Sequence, residues 1–376
     1  MSASDRDTFA GDACRQCLRR SWLLAELGAV LDCNCRADGR LLELLALDDE
    51  WLIEAIGGRR RAELGAAHAS FRRERVVRVE GVSEVCRHNR RYPPQLRASG
   101  AAAMLHVSGG IERLQALSAR PVVAFVGRGA SSDYGATLAA NLARSLAASG
   151  VTVASEPSGA IGAAALGGAQ AIGAGALGAI GGGLIAGAAA RRRSLCQRLA
   201  RAGCVVSELP CSAPRRRWSA IGCERLLASL ATVALVVEAD DGSIGLCGAH
   251  FASSLGRVVA AVPGRVTSRG SRGSHALLRD GARLVSCAAD VLDLICEAEG
   301  RELAPHERAQ AETKLEPRLL RVLERVGAGC DTPGRLLAES PDAGELFRSL
   351  GELELIGLLA RGDGGRYVPT APLGPR

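Results

Sequence analysis

The sequence predicts an α/β protein built on a doubly wound, mostly parallel sheet, with an N-terminal helical module and a C-terminal winged helix. Three observations carry that prediction. From Pro121 onward, apolar runs of strand length alternate with helix-length stretches, the pattern of buried parallel strands joined by crossover helices. Before that point, apolar residues recur at helical spacing. At the C-terminal end, three short helical segments precede a glycine-rich hairpin.

Taken in order, "SWLLAELGAVL" and "RLLELLALDDEWLIEAI" read as short helices, the second stopped by Gly57 and Gly58. This places a helical module at residues 1–90. The stretch "RYPPQLRASG" (Arg91 to Gly100) carries a double proline that forbids helix and predicts an extended strap. The strands of the central domain, residues 91–297, are "VVAFVG", "VTVAS", "CVVSEL", "VALVVEA", "VVAAVPG" and "ARLVS". Between them "YGATLAANLARSLAASG", "RRRSLCQRLARAG", "ERLLASLA" and "GAHFASSLG" suit crossover helices. Residues 298–314 are charged and read as a linker. In residues 315–376, "LEPRLLRVLERV", "TPGRLLAES" and "DAGELFRSLGELELIGLLAR" give the three helices and "GDGGRYVPTAP" the hairpin. The third helix bears Asp342, Glu345, Glu352 and Glu354 against Arg348, so it would repel phosphate, and pairing with protein is the expectation for this domain.

One segment needs its own argument. From Ser158 to Ala190 there is no charge, and the 33 residues hold 11 glycines and 13 alanines. The length would cross a bilayer. Only seven bulky aliphatics are present, at roughly −0.3 to −0.6 kcal/mol each, which is too little to anchor a span. The tract falls where the alternation requires one more helix and one more strand, with "ALGAIGG" in the strand position, so a folded core segment is predicted. Its glycines predict local weakness.

The chain has 376 residues, enough for two or three cores, and 47 Lys and Arg against 40 acids give a charge of +7. That balance is compatible with nucleic acid without requiring it. A single lysine, Lys314, among the basic residues makes each arginine a weak signal. The N-terminus lacks a basic region followed by an apolar stretch, so a cytoplasmic protein is expected. Its 13 cysteines, an odd number, fit reduced thiols better than a disulfide framework. Cys14 and Cys17 form a CxxC, Cys33 and Cys35 lie nearby, and Cys86 with His88 would complete a zinc tetrad. The spacings are irregular, free thiols are the expectation, and no cofactor is assigned.

The order of "RYPPQL", "VVAFVGRGASSDYG", "VSELP", "RWSAIGCERLLASLA", "VALVVEA" and "AAVPGRVTSRGSRGSHALLRDGARLV" resembles the DNA-processing protein A (DprA, or Smf) family over nearly the full chain. The resemblance implies a Rossmann-like domain that binds single-stranded DNA, dimerises and helps load the RecA recombinase on incoming DNA during transformation. No Ser/His/Asp set, Walker lysine motif or metal-helix motif appears, so no catalysis is expected, and no membrane partner is expected either. The chain also departs from the family. Arg128 stands one place earlier than the family's arginine, which falls at Gly129. The family's Phe-Pro-x-Arg-Asn-Arg lands on Ala220 to Arg225, keeping only Arg225, with Glu224 in place of asparagine. Gly162 and Leu166 replace the family's aspartate and histidine, and Gly248 in "SIGLCG" replaces its threonine.

The candidate DNA contacts are therefore Gly127, Arg128, Ser132, Arg215, Arg216, Arg217, Trp218, Arg225, Ser274 and His275. Phosphate takes cations, hydroxyls and free backbone N–H groups at helix N-termini, and the turn from Gly127 to Gly135 is expected to supply the last. "PRRRW" sets three arginines beside an indole, a surface for backbone charge and base stacking. Each has a plainer alternative: a tight turn, a solvated helix face, a packed tryptophan. Two other function classes remain in view. A degenerate relative would keep the fold as a protein-interaction partner without DNA binding. A phosphoribohydrolase would need a "PGGxGT" turn, which "DDGSIGLCG" with Glu238 four residues before Gly242 matches poorly; Glu238 and His250 read more simply as a strand-end carboxylate and a helix-surface imidazole.

Overall fold

The computed structural model describes residues 13–34, 40–127, 129, 131–185, 190–242, 245–300, 316–338, 340, 342–355, 358–362 and 365–369. Five helices come first: Arg15–Glu26 (α1), Gly28–Asn34 (α2), Arg40–Ala46 (α3), Asp49–Ile56 (α4) and Arg61–Ala69 (α5). Their apolar stripes bury Leu18, Leu23, Leu31, Leu52 and Leu64 in one cluster. That cluster is shared with the central domain, because Met104, Leu209, Ala213 and Trp218 close it from the other side.

The chain then enters the sheet at Val82–Cys86 (β1), within the region expected to be purely helical. Pro94–Ser99 (α6) leads to Met104–Ser108 (β2) and Ile111–Ser118 (α7). The double proline opens a short helix here, with Pro94 at its first position where no N–H is needed. After it come Val122–Phe125 (β3), Asp133–Ala148 (α8), Thr152–Ser155 (β4), Ala160–Gln170 (α9), Ala176–Ala179 (β5), Ala190–Ala202 (α10), Cys204–Ser207 (β6) and Arg217–Leu230 (α11). Val233–Val236 (β7), Cys247–Ser254 (α12), Val258–Ala261 (β8), Arg272–Arg279 (α13), Arg283–Leu284 (β9) and Ala288–Ala298 (α14) complete the domain.

The nine strands run β1-β2-β6-β5-β4-β3-β7-β8-β9. Pairs from β6 to β9 are parallel, while β2 is antiparallel to both β1 and β6. Two apolar layers cover the faces, one around Leu105, Val122 and Val206, the other around Val123, Val153 and Leu235. The strand order reverses at β3, which leads outward to β4 on one side and borders β7 on the other. In an open α/β sheet such a reversal leaves a crevice at the carboxyl ends of the strands.

The Gly/Ala tract is core over residues 158–185, as expected; residues 186–189 lie outside the described residues. It forms α9 and β5, and all four residues of β5 are buried between β4 and β6. Its glycines let backbones touch: a Cβ at Gly168 would overlap the Ala140 carbonyl of α8, and one at Gly183 would overlap the Cys211 carbonyl. Among the described residues no helix is long and apolar enough to cross a membrane.

Helices Pro317–Gly327, Pro333–Ala338 and Ala343–Leu355 and a hairpin of Leu359–Arg361 with Tyr367–Pro369 surround a separate cluster of Leu319, Leu323, Leu336, Leu350 and Tyr367. Glu352 of the third helix bonds Arg318 at 2.6 Å and Glu354 bonds Arg361 at 2.7 Å, so two of its acids are engaged internally.

Candidate nucleic-acid interface

The crevice is a cleft of about 300 Å³ bordered by the β3–α8 turn and by the start of α9, with Arg215, Glu156, Glu224 and Glu238 in its wall. Gly127 and Gly129 take φ of +111° and +133°, a backbone region that favours glycine, and fold the turn back against the end of β7. Ser132 then caps α8, its Oγ accepting from the Gly135 N–H at 3.0 Å.

The helix N-terminus already holds an anion from within the chain. The Ser132 N–H donates to Glu238 Oε2 at 2.8 Å and its hydroxyl donates to Oε1 at 2.7 Å. Glu238 is buried, and Gly135 leaves it room where a Cβ would overlap the carboxylate. The expectation that this turn offers free amides to phosphate is corrected: at Ser132 a carboxylate fills that place, and a phosphate there would meet its charge. Arg128 lies outside the described residues.

The far wall is acidic as well. Buried Glu156 accepts from Arg215 at 2.8 Å and from Ser158 at 3.0 Å. Glu224, in the position of the family's asparagine, lies against Gly248, whose hydrogen stands where a Cβ would overlap the carboxylate. A side chain at Gly162 would likewise overlap the Glu156 carbonyl. The glycines that replace the family's polar residues are thus fitted to this packing.

The other sequence-predicted contacts divide. Arg217 is exposed at the start of α11, and Arg215 is exposed at the cleft despite its bond to Glu156. Arg216 is half-buried near Asp32, 3.7 Å away. Trp218 is only 1% exposed; its backbone N–H donates to Asp32 Oδ1 and its ring packs in the helical module's core, so the indole offers no stacking face. Arg225 pairs with Glu208 at 3.4 Å. Burial raises the Glu208 carboxyl and the Arg225 charge opposes that rise, so this half-buried arginine answers a half-buried acid. Ser274 is fully buried and donates to the Ser271 carbonyl. His275 is half-buried with Nε2 3.0 Å from the Gly264 carbonyl oxygen, holding the loop between β8 and α13.

That loop carries what the sequence reading missed. Arg265, Arg269 and Arg272 are exposed, and Val266 is 87% exposed. Arg269 lies 3.9 Å from Asp240, while Arg265 and Arg272 make no ion pair among the described residues. Because β8 runs parallel to β7, the loop leaves at the same edge of the sheet as the cleft. Tyr134, 43% exposed at the start of α8, adds an aromatic face; partial burial and the Glu238 charge raise its phenol, and the Arg265 charge opposes that rise. The signal was present in "GRVTSRGSR", three arginines within eight residues of a strand-end loop.

Residues 83–296, more than half of the chain and all but the start of this sheet, match the DNA recombination-mediator protein A family. The chain belongs to that family. A DNA processing protein DprA of Mycobacterium tuberculosis is 36% identical over 203 residues, covering 53% of this chain and 51% of that protein. Protein Smf of Escherichia coli is 31% identical over 204 residues, 54% of each chain. The chain therefore spans about half the length of the curated relatives it matches. The X-ray structure of DprA from Streptococcus pneumoniae shares the fold, with a TM-score of 0.58 and 22% identity, covering 76% of this chain and 96% of that one.

Proposed function

We propose that this member of the recombination-mediator family binds single-stranded DNA on the rim of the crevice, without catalysis, and delivers it to the RecA recombinase during DNA uptake, as a cytoplasmic homodimer. The observation that carries the binding is the loop bearing exposed Arg265, Arg269 and Arg272 at the same edge of the sheet as exposed Tyr134, with exposed Arg215 and Arg217 as further cations. Guanidinium groups track a phosphate backbone and an exposed ring stacks bases whatever their sequence. The floor of the cleft, with Glu156, Glu224 and Glu238, keeps the backbone out. Family membership and the DNA-processing names of its relatives support the role in recombination; delivery to the recombinase and dimerisation rest on the resemblance alone.

The acidic floor and buried Trp218 favour one other reading, a protein-interaction partner that has lost DNA binding. Ultraviolet cross-linking of an oligothymidylate to the full chain, followed by peptide mapping, separates the two. Adducts at Tyr134 and in residues 263–275 are expected. Adducts confined to the Gly127–Ser132 turn would move the site, and none at low salt would leave the interaction partner.

A further inference from the structure

Two parts of the chain far apart in sequence bring four soft ligands to one point. Cys14 is the N-cap of α1 and Cys17 lies three residues on, so their side chains leave the same end of the helix. Cys86 ends β1, and His88 follows in a turn closed by the Asn89 N–H on the Cys86 carbonyl at 2.9 Å. His88 Nδ1 is 3.3 Å from Cys14 Sγ and 3.5 Å from Cys17 Sγ, and the Cys14 N–H donates to Cys86 Sγ at 3.4 Å. All four ligand atoms lie within 4.8 Å of one another. A tetrahedral zinc with Zn–S of about 2.3 Å and Zn–N of about 2.0 Å has ligand-to-ligand edges of about 3.5–3.8 Å.

We propose that Cys14, Cys17, Cys86 and His88 form a structural zinc site that joins the helical module to the edge strand of the sheet. Four protein ligands complete the coordination, so no position is open for water or substrate. Binding replaces three thiol protons, which pass to solvent; no electron moves. The Cys14 amide donates to Cys86 Sγ, as outer-shell donors do at metal centres. A disulfide would use two of the three thiols and leave the third sulfur and the imidazole crowded against it. Cys33, also near the module's start in sequence, is exposed and stands outside the cluster.

The test is metal analysis of the full chain purified without chelator. One zinc per chain is expected, lost in Cys17→Ser and in Cys86→Ser and retained in Cys33→Ser. If the ligand variants fail to fold, the wild-type chain, stripped of metal and titrated with cobalt, gives the answer: intense thiolate-to-cobalt charge transfer and tetrahedral d–d bands at one equivalent. A folded protein that holds no zinc and takes up no cobalt, or one that carries a Cys14–Cys17 disulfide after purification under reducing conditions, overturns the proposal.

Discussion

Neighbouring glycines in α9 should respond to the same substitution with opposite signs. Gly167 is interior to the helix with nothing within 4 Å of where a Cβ would stand, so Gly167→Ala adds a methyl to open space. Removing glycine's backbone freedom should stabilise the fold by about 0.5–1 kcal/mol. Gly168 faces α8, where the methyl would overlap the backbone carbonyl of Ala140. A carbonyl inside a 16-residue helix cannot swing aside, so the two helices must separate, at a cost of about 2–3 kcal/mol against the same gain in helix propensity. The net is a loss of about 1–2 kcal/mol. In urea unfolding the two variants should fall on opposite sides of wild type. Thermal midpoints should rise by about 1–4 °C and fall by about 2–8 °C, at about 2–4 °C per kcal/mol for a domain of this size. Two stabilised variants would refute the close packing of α8 on α9. Two destabilised ones would refute the claim that excess glycine weakens the tract.

The internal anion at α8 is open to a double-mutant cycle: Ser132→Ala and Glu238→Gln should each cost about 1–3 kcal/mol and be coupled by about 0.5–3 kcal/mol, whereas additive melts would show that the two do not act together. Arg225→Met should cost about 1–3 kcal/mol at neutral pH by leaving the half-buried Glu208 charge with Arg20 as its remaining cation, with little change in DNA affinity. Burial places the folded carboxyl above its unfolded value, so the folded state binds that proton more tightly. The deficit should therefore shrink as pH falls through the raised value toward the ordinary carboxyl range near about 4.3. A deficit independent of pH, measured by denaturation at several pH values, would exclude Glu208 as its cause.

The fold was legible because parallel strands buried on both faces read as continuous apolar runs. Val122–Phe125 and Val233–Val236 could be placed from composition alone. Even Ala176–Ala179, without a β-branched residue, was found from its place in the alternation. β1 was missed because the apolar character of "VSEVC" is broken by Ser83 and Glu84, the latter held by Arg73 in a paired bond at 2.7 Å.

Less of the site was legible. Spacing located the turn, yet it does not report that Glu238, 106 residues away, would occupy the helix end, or that Trp218 would point into another module. Arg225 and Ser274 sit where the resemblance led, with side chains committed to Glu208 and Ser271. Whether a polar residue faces solvent or answers a buried partner depends on tertiary neighbours, which a motif does not carry. The same holds for Cys14, Cys17, Cys86 and His88, whose irregular spacing hides a cluster closed by strand β1 folding beside α1.

The most direct test of the rim is the affinity of a labelled single-stranded oligonucleotide for the full chain across a salt series, compared with a variant in which Arg265, Arg269 and Arg272 are all alanine. Each phosphate neutralised contributes about 0.7 to the slope of log affinity against log salt. Wild type should bind at low salt, and the variant should bind more weakly with a slope shallower by about 2. Equal slopes and affinities, or a folded wild-type protein that binds no DNA at low salt, would contradict the account.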